Sequence, residues 1–137
     1  MGISKEEMMD IYKQVIIENT KEKENIIIDD NTKEKELQNL EIQLHQGNLN
    51  DEDLSKIYQE KAFLLKKINK IDDSIENLEK SLNYHKNLGE GYKTLLNLYN
   101  MKRAEAAKNG NDEMLQHWLK KIDEMMQLSK DITRGKY

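Results

Sequence analysis

The sequence contains no cysteine and no proline, and it has only six glycines in 137 residues. Without cysteine the chain can form neither a disulfide framework nor a thiolate site, which is the pattern expected in the reducing cytosol. Without proline, only short polar segments can interrupt its helices. No apolar run approaches the roughly 20 residues of a membrane-spanning helix, and the polar N-terminus does not resemble a signal peptide. We therefore predict a cytoplasmic protein with no membrane partner.

Arginine is also scarce, since 20 of the 22 basic residues are lysines and only Arg103 and Arg134 are arginines. Arginine supplies the bidentate contacts with which proteins recognise bases and phosphates. The net charge is −4, which disfavours binding to a polyanion. We therefore predict that the protein does not bind nucleic acid. The abundance of Lys, Asn and Ile is typical of an AT-rich genome, such as that of a low-GC bacterium or its phage.

Charged and apolar residues are present in nearly equal shares, 35% and 36%, as in soluble amphipathic helices. The first 50 residues carry two narrow apolar stripes at helical spacing, Met8–Val15 and Leu37–Leu44. The segment Ser4–Glu7 is a capping-box pattern that predicts the start of a helix, and Asp29–Thr32 is a segment where that helix can end. Residues 5–46 therefore form either two antiparallel helices or one long, bent helix. We favour two, because each stripe is too narrow to remain soluble without a partner.

Four further helices are predicted between residues 51 and 130, because short polar turns separate amphipathic segments there. The clearest loop is Asn109–Asp112, and the helix after it has apolar residues at near-perfect helical spacing. The chain is therefore predicted to be all-α, with about six helices in antiparallel hairpins. We predict a single compact domain, with an N-terminal helical hairpin over 1–50, further hairpins over 51–130 and a frayed tail over 131–137.

Several residues of the segment Leu54–Leu98 recur after 34 positions. The recurring sites are Tyr58 and Tyr92, Leu64 and Leu98, and Leu65 and Tyr99. Between the copies, Asp72–Leu82 resembles the second helix of a tetratricopeptide repeat, whose usual form is Asp-x-Ala-Ile-x-x-x-x-x-Ala-Leu. The resemblance covers about residues 55–130 and implies hairpins stacked as a short solenoid that binds a protein or a peptide. It also implies that paired helices pack closely at the small residues Ala62, Ser74 and Ser81.

In a stack of this family, the first helix of each hairpin lines the concave face that binds the partner. The resemblance therefore implies a set of partner-binding residues on two helices: Gln59, Phe63, Lys66, Lys67, Lys93, Asn97 and Asn100. Lys93 and Asn97 are four residues apart and project from one helix face. They are similar to the lysine–asparagine pair with which some family members hold a peptide carboxylate. The alternative is that both are ordinary solvated surface residues.

No set of residues in the sequence predicts catalysis, a cofactor or a metal site. Glu41 and His45 are four residues apart, as are Glu113 and His117, whereas metal-binding helix bundles place histidine three residues after glutamate. Aromatic residues at helical spacing are interpreted as packing residues. We therefore predict a protein that is not an enzyme and that has no cofactor and no metal ligand.

The last predicted helix carries apolar residues on two neighbouring lines, one of which is Trp118, Ile122 and Met125. One hairpin partner covers only one side of such a helix, and methionine and tryptophan are suited to partner contacts. We therefore predict that these three residues form an interface in a homodimer or with another protein. The alternative to a peptide-binding module is a structural, oligomerising helical protein whose N-terminal helices pair across a dimer.

Overall fold

The computed structural model describes residues 2–137 and, among their side chains, those of residues 2–14 and 31–137. Within this described part, the chain forms five helices and no strand: α1 (Lys5–His45), α2 (Asp51–Lys67), α3 (Ile71–Tyr84), α4 (Glu90–Lys108) and α5 (Asp112–Thr133). The prediction of an all-α protein is confirmed. None of the helices, as far as their residues are described, is long and apolar enough to cross a membrane.

Residues 5–45 are one helix, which is the second of the two alternatives for this segment. The helix starts as the capping-box pattern predicts, because the Glu7 amide donates a hydrogen bond to Ser4 Oγ at 3.2 Å. It does not end at Asp29–Thr32. Residues of these types cost at most about 0.7 kcal/mol each in a helix interior, and no proline enforces a break. A single helix therefore stands in place of the predicted hairpin over 1–50, which accounts for five helices where about six were predicted.

The chain divides into two compact units, Met1–Gln38 and Asn39–Tyr137. The first unit contains most of α1, and its apolar side chains near the start of the helix are exposed. They include Met8 and Tyr12 of the predicted stripe, whereas the side chain of Val15 lies outside the described residues. The second unit contains the end of α1 and the helices α2–α5.

Small side chains hold α2 and α3 together in the second unit. Ser55 Oγ donates to the Ser81 carbonyl at 2.8 Å, and Ser81 Oγ donates to the Ser55 carbonyl at 2.7 Å. Further along, Ser74 Oγ donates to the Ala62 carbonyl at 2.8 Å. The start of α2 therefore lies beside the end of α3, and the two helices are antiparallel. All four residues are buried, so the predicted close packing at small residues is confirmed.

Large side chains fill the equivalent space between α4 and α5. The Tyr92 hydroxyl donates to the Met125 carbonyl at 2.7 Å, and the rings of Tyr99 and Trp118 lie 5.7 Å apart. These contacts pair the start of α4 with the later part of α5, so this hairpin is also antiparallel. Aromatic residues here do the packing that serine and alanine do between α2 and α3.

The core of the second unit lies where α3 and α4 join the two hairpins. Leu78, Leu95 and Leu98 are almost completely inaccessible to solvent there. The buried cluster consists of Ala62, Ile75, Leu78, Leu82, Tyr92, Leu95, Leu98, Tyr99 and Met125. At its edge, the Lys102 ammonium lies 2.7 Å from the Asp72 carboxylate and joins α4 to α3. Consecutive helices of α2–α5 are thus neighbours in space.

The last residues of α1 belong to the second unit and pack within it. Leu40 is buried, and Glu41 forms an ion pair with Lys61 of α2. Through a hydrogen bond and its charge, the Lys61 ammonium holds the pKa of the Glu41 carboxyl below its usual value. Beyond the end of α1, Gly47 has a φ of +76°, the left-handed conformation predicted for a glycine that terminates a helix.

Replacing Ala62 by leucine is expected to lower the free energy of unfolding by about 1 to 3 kcal/mol, because the larger side chain has no space between α2 and α3. Urea unfolding followed by circular dichroism measures this change. Ala104→Leu is the matched control, since Ala104 is exposed on α4, and it should change stability by less than about 0.5 kcal/mol. Equal destabilisation in both variants would contradict close packing at Ala62.

Candidate functional site

An open groove of about 410 Å³ is lined by residues from the end of α2 and the start of α4. The lining residues are Phe63, Lys66, Lys67, Glu90 and Thr94. Three of the seven residues that the resemblance implies for partner binding, namely Phe63, Lys66 and Lys67, therefore meet at one site. Glu90 and Thr94 were not predicted, although both lie one turn or less from Lys93 in the sequence.

A glycine lies where the two walls of the groove meet. Gly91 is buried in the first turn of α4, and a Cβ atom at this position would lie 2.6 Å from Gln59 Oε1 of α2. The Gln59 side chain therefore occupies the space beside Gly91, at the contact between α2 and α4. Gln59 is not among the residues that line the groove.

The groove combines an aromatic side chain with positive charge. Phe63 is partly buried, and its contact with the core residues holds the ring in position. Lys66 and Lys67 are exposed, and neither forms an ion pair with any described residue. Opposite them, the Glu90 carboxylate lies 3.7 Å from the exposed Lys93 ammonium, which offsets its charge. The site therefore presents two unpaired ammonium groups beside an apolar ring.

The remaining predicted residues of α4 lie outside the groove lining. Lys93 does not line the groove, but it forms an ion pair with Glu90, which does. Asn97 is exposed on the same helix face, one turn further on. Asn100 makes local contacts, since its Nδ2 donates to the Leu96 carbonyl at 3.2 Å and its Oδ1 accepts from Arg103 at 3.5 Å. Of the seven predicted residues, those that line the groove are therefore all on α2.

The predicted interface line on α5 packs inside the chain. Met125 is 5% exposed and belongs to the core, while Trp118 and Ile122 are partly buried and pack against that core. The physical reason is that Tyr92 and Tyr99 of α4 pack against this line. Met125 is therefore a core residue, whereas an interface role of the partly buried Trp118 and Ile122 stays a prediction.

The neighbouring line of α5 is the exposed one. Leu119 and Met126 are 36% and 50% exposed, and Met114 is exposed near the start of the helix. Charged and polar residues separate these side chains on the surface. Single exposed apolar residues are normal on protein surfaces and do not by themselves indicate an interface.

A polar network that the sequence does not reveal connects three helices. Glu79 of α3 accepts a hydrogen bond from the Tyr99 hydroxyl of α4 at 2.8 Å and one from the Lys121 ammonium of α5 at 2.9 Å. Burial, and then the hydrogen bond to Glu79, raise the pKa of the Tyr99 hydroxyl above its usual value. The only sequence signal is that a buried tyrosine needs an acceptor for its hydroxyl.

The three histidines make local contacts. His45 Nδ1 lies 2.7 Å from the Glu41 carbonyl, and the His117 ring packs edge-on against Trp118 at 4.7 Å. His85 lies next to Asn87 in the turn after α3. Among the described residues, no three or more His, Cys, Asp or Glu side chains are grouped so that they could hold a metal ion.

No protein-family model matches the chain. No curated protein matches it significantly, and no solved structure does so either.

Met125→Ala is expected to lower the free energy of unfolding by about 2 to 5 kcal/mol, because truncation leaves a cavity in the core. The adjacent change Met126→Ala is the matched control and should stay within about 0.5 kcal/mol of the unmodified protein. Urea unfolding of both variants tests the assignment of the two lines of α5. Similar losses at both positions would show that Met126 is also covered.

Tyr99→Phe is expected to lower the free energy of unfolding by about 1 to 3 kcal/mol near neutral pH, because the partly buried hydrogen bond to the Glu79 carboxylate is lost. Since the folded-state pKa of Tyr99 lies above its usual value of 10.0, the unfolded chain loses the proton first. The contribution of the hydroxyl to the free energy of unfolding is therefore complete below pH 10.0 and declines as the pH rises above this value. Urea unfolding at a series of pH values measures the difference between the two proteins. A difference that grows with alkaline pH would contradict this.

Proposed function

We propose that the chain is a non-enzymatic helical module that binds a protein or peptide in the groove between α2 and α4. The observation that carries the proposal is the pair of unpaired ammonium groups, Lys66 and Lys67, beside the partly exposed Phe63 ring. The repeat resemblance supports it, because it implies the same face of α2 for partner binding. The cysteine-free sequence supports a location in the cytoplasm.

The chemistry of the groove selects an acidic segment that has an apolar side chain. Two lysines bring positive charge to a site whose one carboxylate, Glu90, is already offset by Lys93. Exposed ion pairs contribute about 0.2 to 1 kcal/mol each, so the carboxylates orient the segment and increase its association rate. Contact of an apolar side chain with Phe63 supplies the desolvated centre that binding energy requires. The open shape of the groove suits a peptide segment.

A displayed library of random peptides, selected on the full chain, tests this function. The selected peptides should be enriched in Asp or Glu next to a large apolar residue. The double variant Lys66→Glu, Lys67→Glu should bind these peptides about tenfold or more weakly, because two attractions become two repulsions. Fluorescence anisotropy with a labelled selected peptide measures the affinity.

The matched control is Lys108→Glu, Lys120→Glu, which changes the net charge by the same amount outside the groove. Lys108 is in the last turn of α4, as Lys66 and Lys67 are in the last turn of α2, so the control also includes one change near the negative end of a helix dipole. The control should bind selected peptides with unchanged affinity. Equal weakening in both variants, or no selection of acidic peptides, would refute a specific groove.

The second candidate is a structural, oligomerising helical protein, and one observation favours it. Met8, Met9, Ile11 and Tyr12 at the start of α1 are all about half exposed or more. A helix surface of this kind is typical of a segment that packs against another chain.

A further inference from the structure

The start of α1 is an exposed helical segment that is both acidic and apolar. Residues 6–12 have the sequence Glu-Glu-Met-Met-Asp-Ile-Tyr, and we name them the acidic segment. The side chains of Met8, Met9, Ile11 and Tyr12 are 46% to 59% exposed. Met8, Ile11 and Tyr12 recur at helical spacing and share one face, with Glu7 one turn before Ile11. The three carboxylates make no ion pair with a described residue.

We propose that the acidic segment of a second copy of this chain binds in the groove formed by Phe63, Lys66 and Lys67. The inference rests on the proposed function, because it names the partner of the same groove. The chemistry of the two surfaces is complementary. The segment offers carboxylates and flexible methionine side chains, whereas the groove offers unpaired ammonium groups and an aromatic ring.

A second copy satisfies both surfaces at once. Each chain has one acidic segment and one groove, so two chains can exchange segments in a symmetric pair. In that pair every segment is covered and every groove is filled, which leaves no free site for a third chain. A pair joined by two such contacts is held more tightly than a pair joined by one, because the two contacts act together.

Light scattering coupled to size-exclusion chromatography of the full chain, from low to high micromolar concentrations, tests the proposal. The unmodified protein should be a dimer. Lys66→Glu, Lys67→Glu should be monomeric, and Glu7→Lys, which changes the carboxylate that borders the apolar face of the segment, should dimerise more weakly than the unmodified protein. Combining the three changes restores opposite charges across the contact and should restore association. The control Lys108→Glu, Lys120→Glu should remain a dimer, and circular dichroism verifies that each variant is helical.

Three results would overturn the proposal: an unmodified protein that is monomeric at high micromolar concentration, a dimer that persists in Lys66→Glu, Lys67→Glu, or a combination of these changes with Glu7→Lys that associates no better than Lys66→Glu, Lys67→Glu. The peptide selection distinguishes this failure from failure of the proposed function. A monomeric chain that binds selected acidic peptides through Lys66 and Lys67 keeps the function and loses only the second copy as partner. A chain that binds neither loses both.

Discussion

The contact between α2 and α3 is the constraint on which the second unit depends. Ser55 and Ser81 exchange hydrogen bonds with each other's carbonyl groups. Nearer the end of α2, Ser74 of α3 donates to the Ala62 carbonyl. Each hydroxyl thus satisfies its own hydrogen-bonding need by bonding to the facing helix, so the helices can be close without a buried polar atom left over at these sites. Because α2 is fixed in this way, Phe63 and the two lysines after it face the start of α4, and the groove exists.

The charges of the second unit are divided between structure and surface. Lys61, Lys102 and Lys121 each reach a carboxylate of another helix and link neighbouring elements. Lys66 and Lys67 do not, and they are exposed, whereas the three paired lysines are partly buried. Positive charge in the last turn of α2 is favourable because it complements the helix dipole. This effect explains why the two residues are basic, but not why they lie beside an aromatic ring. Their position beside Phe63 follows from helical spacing, because they lie three and four residues after it on the same helix. The tertiary arrangement adds Glu90 and Thr94 of α4 to the groove.

Local signals predicted the fold better than they predicted the surfaces. The loop at Asn109–Asp112 and the small-residue contact of α2 with α3 follow from turn chemistry and residue size, which act over a few positions. The length of α1 did not follow, because a weak helix interruption at Asp29–Thr32 competes with continuous backbone hydrogen bonding. The cover over Met125 and the Glu79 network did not follow either, since each depends on three helices that meet only after folding.

The order of the helices has a consequence for how the second unit forms. The extensive contacts within α2–α5 all join helices that follow one another in the chain, with turns of only a few residues between them. Most native contacts therefore close short loops, which cost little chain entropy and correspond to a low contact order. Such a topology folds quickly and can grow from either hairpin. The hydrogen bonds of Glu79 to α4 and α5 form only when both hairpins have docked, so they mark the completion of folding.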